Sequence, residues 1–266
     1  MTSFAPSGNA RIAYDDEGSG PPVLLLHAGV TDRRSWRSVI EVLHPSRRTL
    51  AFDQRGFGET TYTPEPHSTP TDALAVLDHA GVHGPTTIVG CSMGGTATVD
   101  LALAHPEFVE RLVLMAPGLR ADVYPDDIPE SWRDLAGALE AAEKAGDLDE
   151  VNRLEAHLWL DGPTAPESRV GGAARELFLD MNGRALAAED PGDVVGVPEV
   201  WEGLDTITAP TLVLVGDLDA EEEQVAAERL AEMIPGARFE KLAGTAHLPH
   251  VEGHARCLDA LRDFIV

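Results

Sequence analysis

Apolar positions along the chain follow two alternating patterns. Val23–Leu26 is an unbroken apolar run, the mark of a strand buried on both faces. Arg48–Phe52, the run opening at Thr86, Leu112–Met115, Thr211–Val215 and Arg238–Leu242 also read as strands. Between them lie segments with helical spacing. One runs from about Arg33 to Leu43, with Thr31 or Asp32 as its cap. A second runs from Thr69 to Ala80, with Pro70 near its start and Gly81 as its stop. Others end at His105, span Glu221–Met233 and cover Glu252–Val266. Residues 2–5 and Arg11–Asp16 read as short edge strands. Strand–helix alternation predicts an α/β fold with a parallel sheet and right-handed crossovers. From Ala116 to about Ala209 the alternation stops. Helical spacing appears there at Trp132–Ala145, Leu148–Leu160 and Val170–Ala188, with loops rich in Pro, Gly and Asp between. The expectation is one domain over 1–266, with a core of 1–118 and 210–266 and a helical insertion over about 119–209.

The run opening at Thr86 ends in Gly90-Cys91-Ser92-Met93-Gly94, and a small-residue helical segment follows at once. This is G-x-S-x-G between strand and helix, the context in which the pattern carries chemistry. A strained turn lifts the serine hydroxyl clear of the sheet. Gly90, Gly94 and Gly95 then let helix and strand backbones pass closely. The free N–H groups of the helix start suit a developing negative charge. A serine still needs a base. In a parallel sheet, loops after successive strands meet at one edge. Gly216-Asp217-Leu218-Asp219 follows one late strand and Ala243-Gly244-Thr245-Ala246-His247 follows the last. An acid at 217 or 219 and a base at 247 can therefore reach Ser92.

Together these motifs resemble an α/β-hydrolase-fold enzyme with a helical cap, over essentially the whole core. His27-Ala28-Gly29-Val30 stands where that family has its HG-x oxyanion segment. Asp53-Gln54-Arg55-Gly56-Phe57-Gly58 is similar to its D-x-R-G-x-G, Gly216–Asp219 to its G-x-x-D, and His247 with Glu252 to its H-x-x-x-x-E. The resemblance implies a mostly parallel eight-stranded sheet flanked by helices, with a cap inserted after the sixth strand. It implies Ser92 as nucleophile, His247 as base and acid, and Asp219, which fits G-x-x-D, ahead of Asp217. It implies an oxyanion hole of Met93 and Gly29 N–H groups, with Val30 the alternative to Gly29. Small esterases and lactonases, such as 3-oxoadipate enol-lactonases and carboxylesterases, are the nearest likeness. The implied reaction is hydrolysis of a small, mostly apolar ester or lactone through an acyl-enzyme, with no cofactor. Carbon–carbon, amide, perhydrolase and non-hydrolytic acyl chemistry use nearly the same constellation, and a non-catalytic small-ligand receptor is the rival of another class. Ala28, Ala246 and Glu221-Glu222-Glu223 depart from the family pattern and bear on the site's geometry.

Other residues take structural readings. His27 is expected to hold the oxyanion loop, Asp53 and Arg55 to pair within their turn, and Cys91 to fill the core. His250 is the competitor of His247 for the base. Trp36, Leu119, Trp132, Trp159, Phe178 and Leu248 are candidate pocket walls. No H-E-x-x-H or paired C-x-x-C occurs, so no metal is expected. The formal net charge of −25 opposes nucleic acid and anionic membranes, which leaves a small-molecule substrate as the expected partner. Only Lys144 and Lys241 are lysines. Neither a membrane-length apolar run nor a signal-like start is present, so a cytoplasmic enzyme is expected. Two cysteines form no disulfide framework.

Overall fold

The computed structural model describes residues 2–120, 129–199 and 201–266. Of the expected cap, residues 121–128 and Val200 lie outside the described residues. Eight strands form one sheet: β1 (Thr2–Ser7), β2 (Ala10–Gly18), β3 (Pro22–Leu26), β4 (Arg48–Phe52), β5 (Thr86–Cys91), β6 (Val109–Met115), β7 (Thr211–Gly216) and β8 (Arg238–Leu242). Their order is β1-β2-β4-β3-β5-β6-β7-β8. The β1–β2 and β2–β4 pairs are antiparallel, and every later pair is parallel. The reading of Arg11–Asp16 as an edge strand is corrected: β2 runs nine residues and lies between β1 and β4. Its middle residues Ile12, Ala13 and Tyr14 are buried in succession, as a strand with a partner on each side requires.

Both faces of the central strands are covered, as their unbroken apolar runs require. Leu24 and Leu26 of β3 and Ile88 of β5 point to one core. That core holds helices α2 (Thr69–His79), α3 (Met93–Ala104) and α7 (Glu221–Met233). Val23, Leu25, Val89 and Cys91 point to the other, beneath α1 (Arg37–Leu43) and α8 (Ala255–Ile265). The expected helix from Arg33 begins as a 3₁₀ turn, Arg33–Trp36, capped by Asp32, whose side chain accepts from Arg34 N–H.

Between β6 and β7 the regular elements are helical. They are α4 (Arg133–Ala145), α5 (Leu148–Glu155), a π-turn over Ala156–Asp161 and α6 (Gly172–Leu186). Ala142, Val151 and Leu154 form a small core of the cap's own, with Leu135, Leu139 and Leu186 against it. The far end of the cap returns to the core at Glu65 and His67, whose N–H groups donate to Pro191 and Asp193 carbonyls at 3.1 and 3.0 Å.

Candidate active site

Ser92 stands between the end of β5 and the start of α3 with φ 51° and ψ −118°. No L-residue adopts this backbone cheaply, so the turn must be held from both sides. The Ser92 N–H donates to Met115 O at 2.9 Å, which ties the turn to β6. A Cβ at Gly94 would collide with the carbonyl oxygens of Leu26 and His27. One at Gly90 would collide with Gly94 O and Thr98 Oγ1. Ser92 is the N-cap residue of α3, yet its side chain makes no capping bond.

The oxyanion segment lies against this turn. A Cβ on Gly29 would meet Met93 Sδ at 3.6 Å and Met93 Cβ at 3.8 Å, so the chain is brought to the helix start here. Gly29 and Val30 occupy a turn closed by Thr31 N–H donating to Ala28 O at 3.1 Å. His27 anchors the segment. Its Nδ1 lies 2.8 Å from Ala28 O, and Gln54 N–H donates to its Nε2 at 3.0 Å. A neutral ring protonated on Nδ1 satisfies both bonds, and burial pulls the His27 pKa down in the same direction. Gln54 Nε2 returns a bond to His27 O at 2.8 Å. Sequence reasoning missed Gln54, because an unspecified position inside D-x-R-G-x-G carries no type signal.

The acid and base loops meet as their strand order demands. His247 Nδ1 stands 2.8 Å from Asp219 Oδ2. Both side chains are buried, and the bond to Asp219 occupies Nδ1, so Nε2 is the ring nitrogen that Asp219 does not engage. Asp217 turns elsewhere and accepts from Gly244 N–H at 2.6 Å. A Cβ at Gly216 would strike Thr245 and Ala246 carbonyl oxygens, so that glycine lets the two loops touch. Burial pulls the His247 pKa down, but the Asp219 charge, their hydrogen bond and the Glu223 charge outweigh it and leave the pKa above 6.5. His250 is different. It is fully buried and stacked on Trp36 at 4.4 Å, and both its ring nitrogens lack partners. Burial, followed by His247 and His27, lowers its pKa to about 3, so it is neutral and remote from a base's role. Burial also pushes the Cys91 thiol well up, which keeps it protonated beside Ser92. Both cysteines are free.

The aromatic and aliphatic wall candidates divide. Trp159, in the π-turn, lies over the His247 ring with centroids 4.6 Å apart. Leu119 is half-buried against the core near α3, and Trp132 is half-buried in the cap. Trp36, Phe178 and Leu248 offer no open surface: each is 0% exposed, within a buried cluster that joins cap residues to those of α1 and α8. The expected Asp53–Arg55 pair is also corrected. Asp53 binds Arg33 and the Glu59 N–H, whereas Arg55 binds Asp72 at 2.9 Å and Glu65 at 2.8 Å. Positions two apart in this turn face different elements, so they cannot meet. A cleft of about 340 Å³ opens beside Met93, between Gln54 and Phe57 of the core and Ala185, Ala188 and Val194 of the cap. Among the described residues, no group of His, Cys, Asp and Glu has the makings of a metal site.

Known proteins resemble this chain along nearly its whole length. A family model described as alpha/beta hydrolase fold matches residues 21–254. The 2-hydroxymuconate semialdehyde hydrolase of Pseudomonas sp. (strain CF600) is 29% identical over 264 residues, covering 96% of this chain and 90% of that one. The 2-hydroxy-6-oxo-6-(2'-aminophenyl)hexa-2,4-dienoic acid hydrolase of Metapseudomonas resinovorans is 34% identical over 131 residues, 46% of this chain and 45% of that one. The solved structure of a thermophilic esterase from Thermogutta terrifontis superposes with a TM-score of 0.75 at 26% identity, covering 100% of this chain and 97% of that one.

Proposed function

Because the chain belongs to the α/β hydrolase fold family, we propose that it is a serine hydrolase of small, uncharged carboxylic esters or lactones, working through an acyl-enzyme on Ser92. One juxtaposition carries this reading. A strained serine that does not cap its own helix shares a sheet edge with the Gly29–Met93 contact and the buried Asp219–His247 pair. In the proposed reaction, Ser92 Oγ attacks the substrate carbonyl and its proton passes to His247 Nε2. The Met93 N–H, with that of Gly29 or Val30, faces the oxyanion. The oxyanion then collapses, the alcohol leaves with the proton from His247, and an acyl group remains on Ser92. Water repeats the sequence, giving its proton to His247, and releases the acid and free serine.

The charge of the substrate is inferred from what the arginines already do. Arg33, Arg34, Arg55, Arg120 and Arg169, on the segments around the site, are each paired with a carboxylate. A substrate carboxylate would therefore compete for cations already engaged, so a neutral acyl group fits better. The fold's kinship with an esterase supports ester cleavage. Turnover of p-nitrophenyl butyrate tests the reading: Ser92→Ala is expected to lower kcat by about 10⁴-fold or more. Equal turnover by the variant sinks it.

A further inference from the structure

We propose that Arg169 is a positioning residue for the reaction: through Glu252 it holds the cap's Trp159 turn and the core's His247 loop in one register. The inference rests on the serine-hydrolase reading above and concerns the same site.

The cap segment 156–170 reaches the catalytic loops at three places. Trp159 lies over the His247 ring at 4.6 Å. Gly162 follows the π-turn at φ 99°, and a Cβ there would collide with Leu218 O of the acid loop. Arg169 forms the third contact. Its guanidinium donates to Leu160 O at 2.8 Å and Asp161 O at 2.7 Å, the last carbonyls of the turn that carries Trp159. The same guanidinium donates to Glu252 Oε2 at 2.8 Å, Glu252 Oε1 at 3.0 Å and Gly244 O at 3.2 Å. Glu252 in turn accepts from Thr245 Oγ1 at 2.6 Å and Ala246 N–H at 3.0 Å, on the two residues before His247. One planar cation thus ties the backbone under Trp159 to the backbone that presents the base. A fork of fixed geometry suits this, whereas an ammonium point charge does not.

The loop is wound so that Arg169 can return. Asp161 is fully buried and accepts from Ser168 N–H at 2.8 Å and Val170 N–H at 2.9 Å, and Arg175 pairs with it at 2.7 Å. Ser168 adopts φ 63°, a conformation that the Asp161 bond holds in place. An ordinary surface ion pair needs none of this scaffolding. Here five acceptors from two parts of the fold converge on one side chain, and where the two parts meet Trp159 lies against His247. Loss of the fork frees Trp159 and the 244–247 backbone together. A displacement of the base by about 1 Å is enough to reduce turnover by about 10²-fold.

The test compares Arg169→Ala, Arg169→Lys and Glu252→Gln with the parent, each normalised by active-site titration so that folded enzyme is compared with folded enzyme. Arg169→Ala is expected to lower kcat by about 10- to 100-fold with KM changed far less. The Arg169→Ala/Glu252→Gln double variant is expected to lose little more than either single one, because both break one connection. Tryptophan fluorescence gives a second readout. In the parent, the part of the emission removed by Trp159→Phe is expected to be quenched as His247 takes up its proton. In Arg169→Ala that quenching disappears, and in Arg169→Lys it returns in part. Parental kcat and parental Trp159 quenching in Arg169→Ala overturn the proposal. If Ser92→Ala also turns over like the parent, the hydrolase reading falls instead, and the quenching experiment still decides the role of Arg169.

Discussion

At the scale of single residues, Ser92 is a helix-capping residue type in a capping position that does not cap. Its φ is 51°, and its side chain accepts nothing from the first N–H groups of α3. That conformation is strained by roughly 1–3 kcal/mol, and the backbone bond to β6 and the glycines around it maintain the strain. In the proposed reaction His247 sets the pH dependence. Burial alone favours the neutral ring, but Asp219 and Glu223 reverse the balance and raise the pKa above 6.5. The base must be neutral to act, so kcat/KM is expected to fall on the acid side with a midpoint above 6.5. Asp219→Asn removes the largest attraction and leaves the burial, so the midpoint should move down as kcat drops. A parental midpoint below 6.5 contradicts this account of the pair. The Asp219–His247 pair and the sharp turn at Ser92 were legible in the sequence, because each sits in a short pattern that depends on residue type. Gln54, Arg169 and the stacking of His250 on Trp36 were not legible, since their roles arise from neighbours distant in the chain.

At the scale of elements, glycines distinguish contacts the fold needs from those it does not. Gly94 opens the first turn of α3 against the Leu26 and His27 carbonyls, and any Cβ there must move a strand. Gly137 sits inside α4 with nothing within 4 Å of the position its Cβ would take. Gly94→Ala is expected to destabilise by about 2–3 kcal/mol and to abolish turnover, because the helix backs away from Ser92 and Gly29. Gly137→Ala is expected to stabilise by about 0.5–1 kcal/mol without touching turnover. Denaturant melts and the ester assay check both, and equal effects of the two changes contradict the packing argument. The strands and core helices followed from apolar runs and periodicity because burial on two faces leaves few alternatives. The break of Leu148–Leu160 into α5 and a π-turn did not follow, since a single wide turn preserves the apolar set while rotating Trp159 towards His247. The interior place of β2 was hidden because its second half, Asp15-Asp16-Glu17-Gly18, is polar although it pairs with β4.

At the scale of the whole molecule, charge and cap act together. The net charge of −25 surrounds a site whose nearby arginines are already paired, so the field at the entrance opposes anions. The mono-p-nitrophenyl ester of succinic acid is therefore expected to react with a kcat/KM about 10-fold or more below that of p-nitrophenyl butyrate. The gap should narrow as ionic strength rises from about 0.01 M to 1 M, where screening shortens from about 30 Å to 3 Å. A preference for the anionic ester contradicts the neutral-substrate reading. Composition announces that field, but the cap's seating, which closes Trp159 over His247 and leaves the cleft beside Met93, depends on loops that periodicity does not place. Among the described residues, no helix is long and apolar enough to cross a membrane. The proposed acyl-enzyme is open to direct detection. Intact-protein mass measured after rapid mixing with p-nitrophenyl acetate and acid quenching is expected to show one added acetyl group, with the peptide that carries it acetylated on Ser92. Turnover with no adduct, or with the acetyl group on any other residue, contradicts the account.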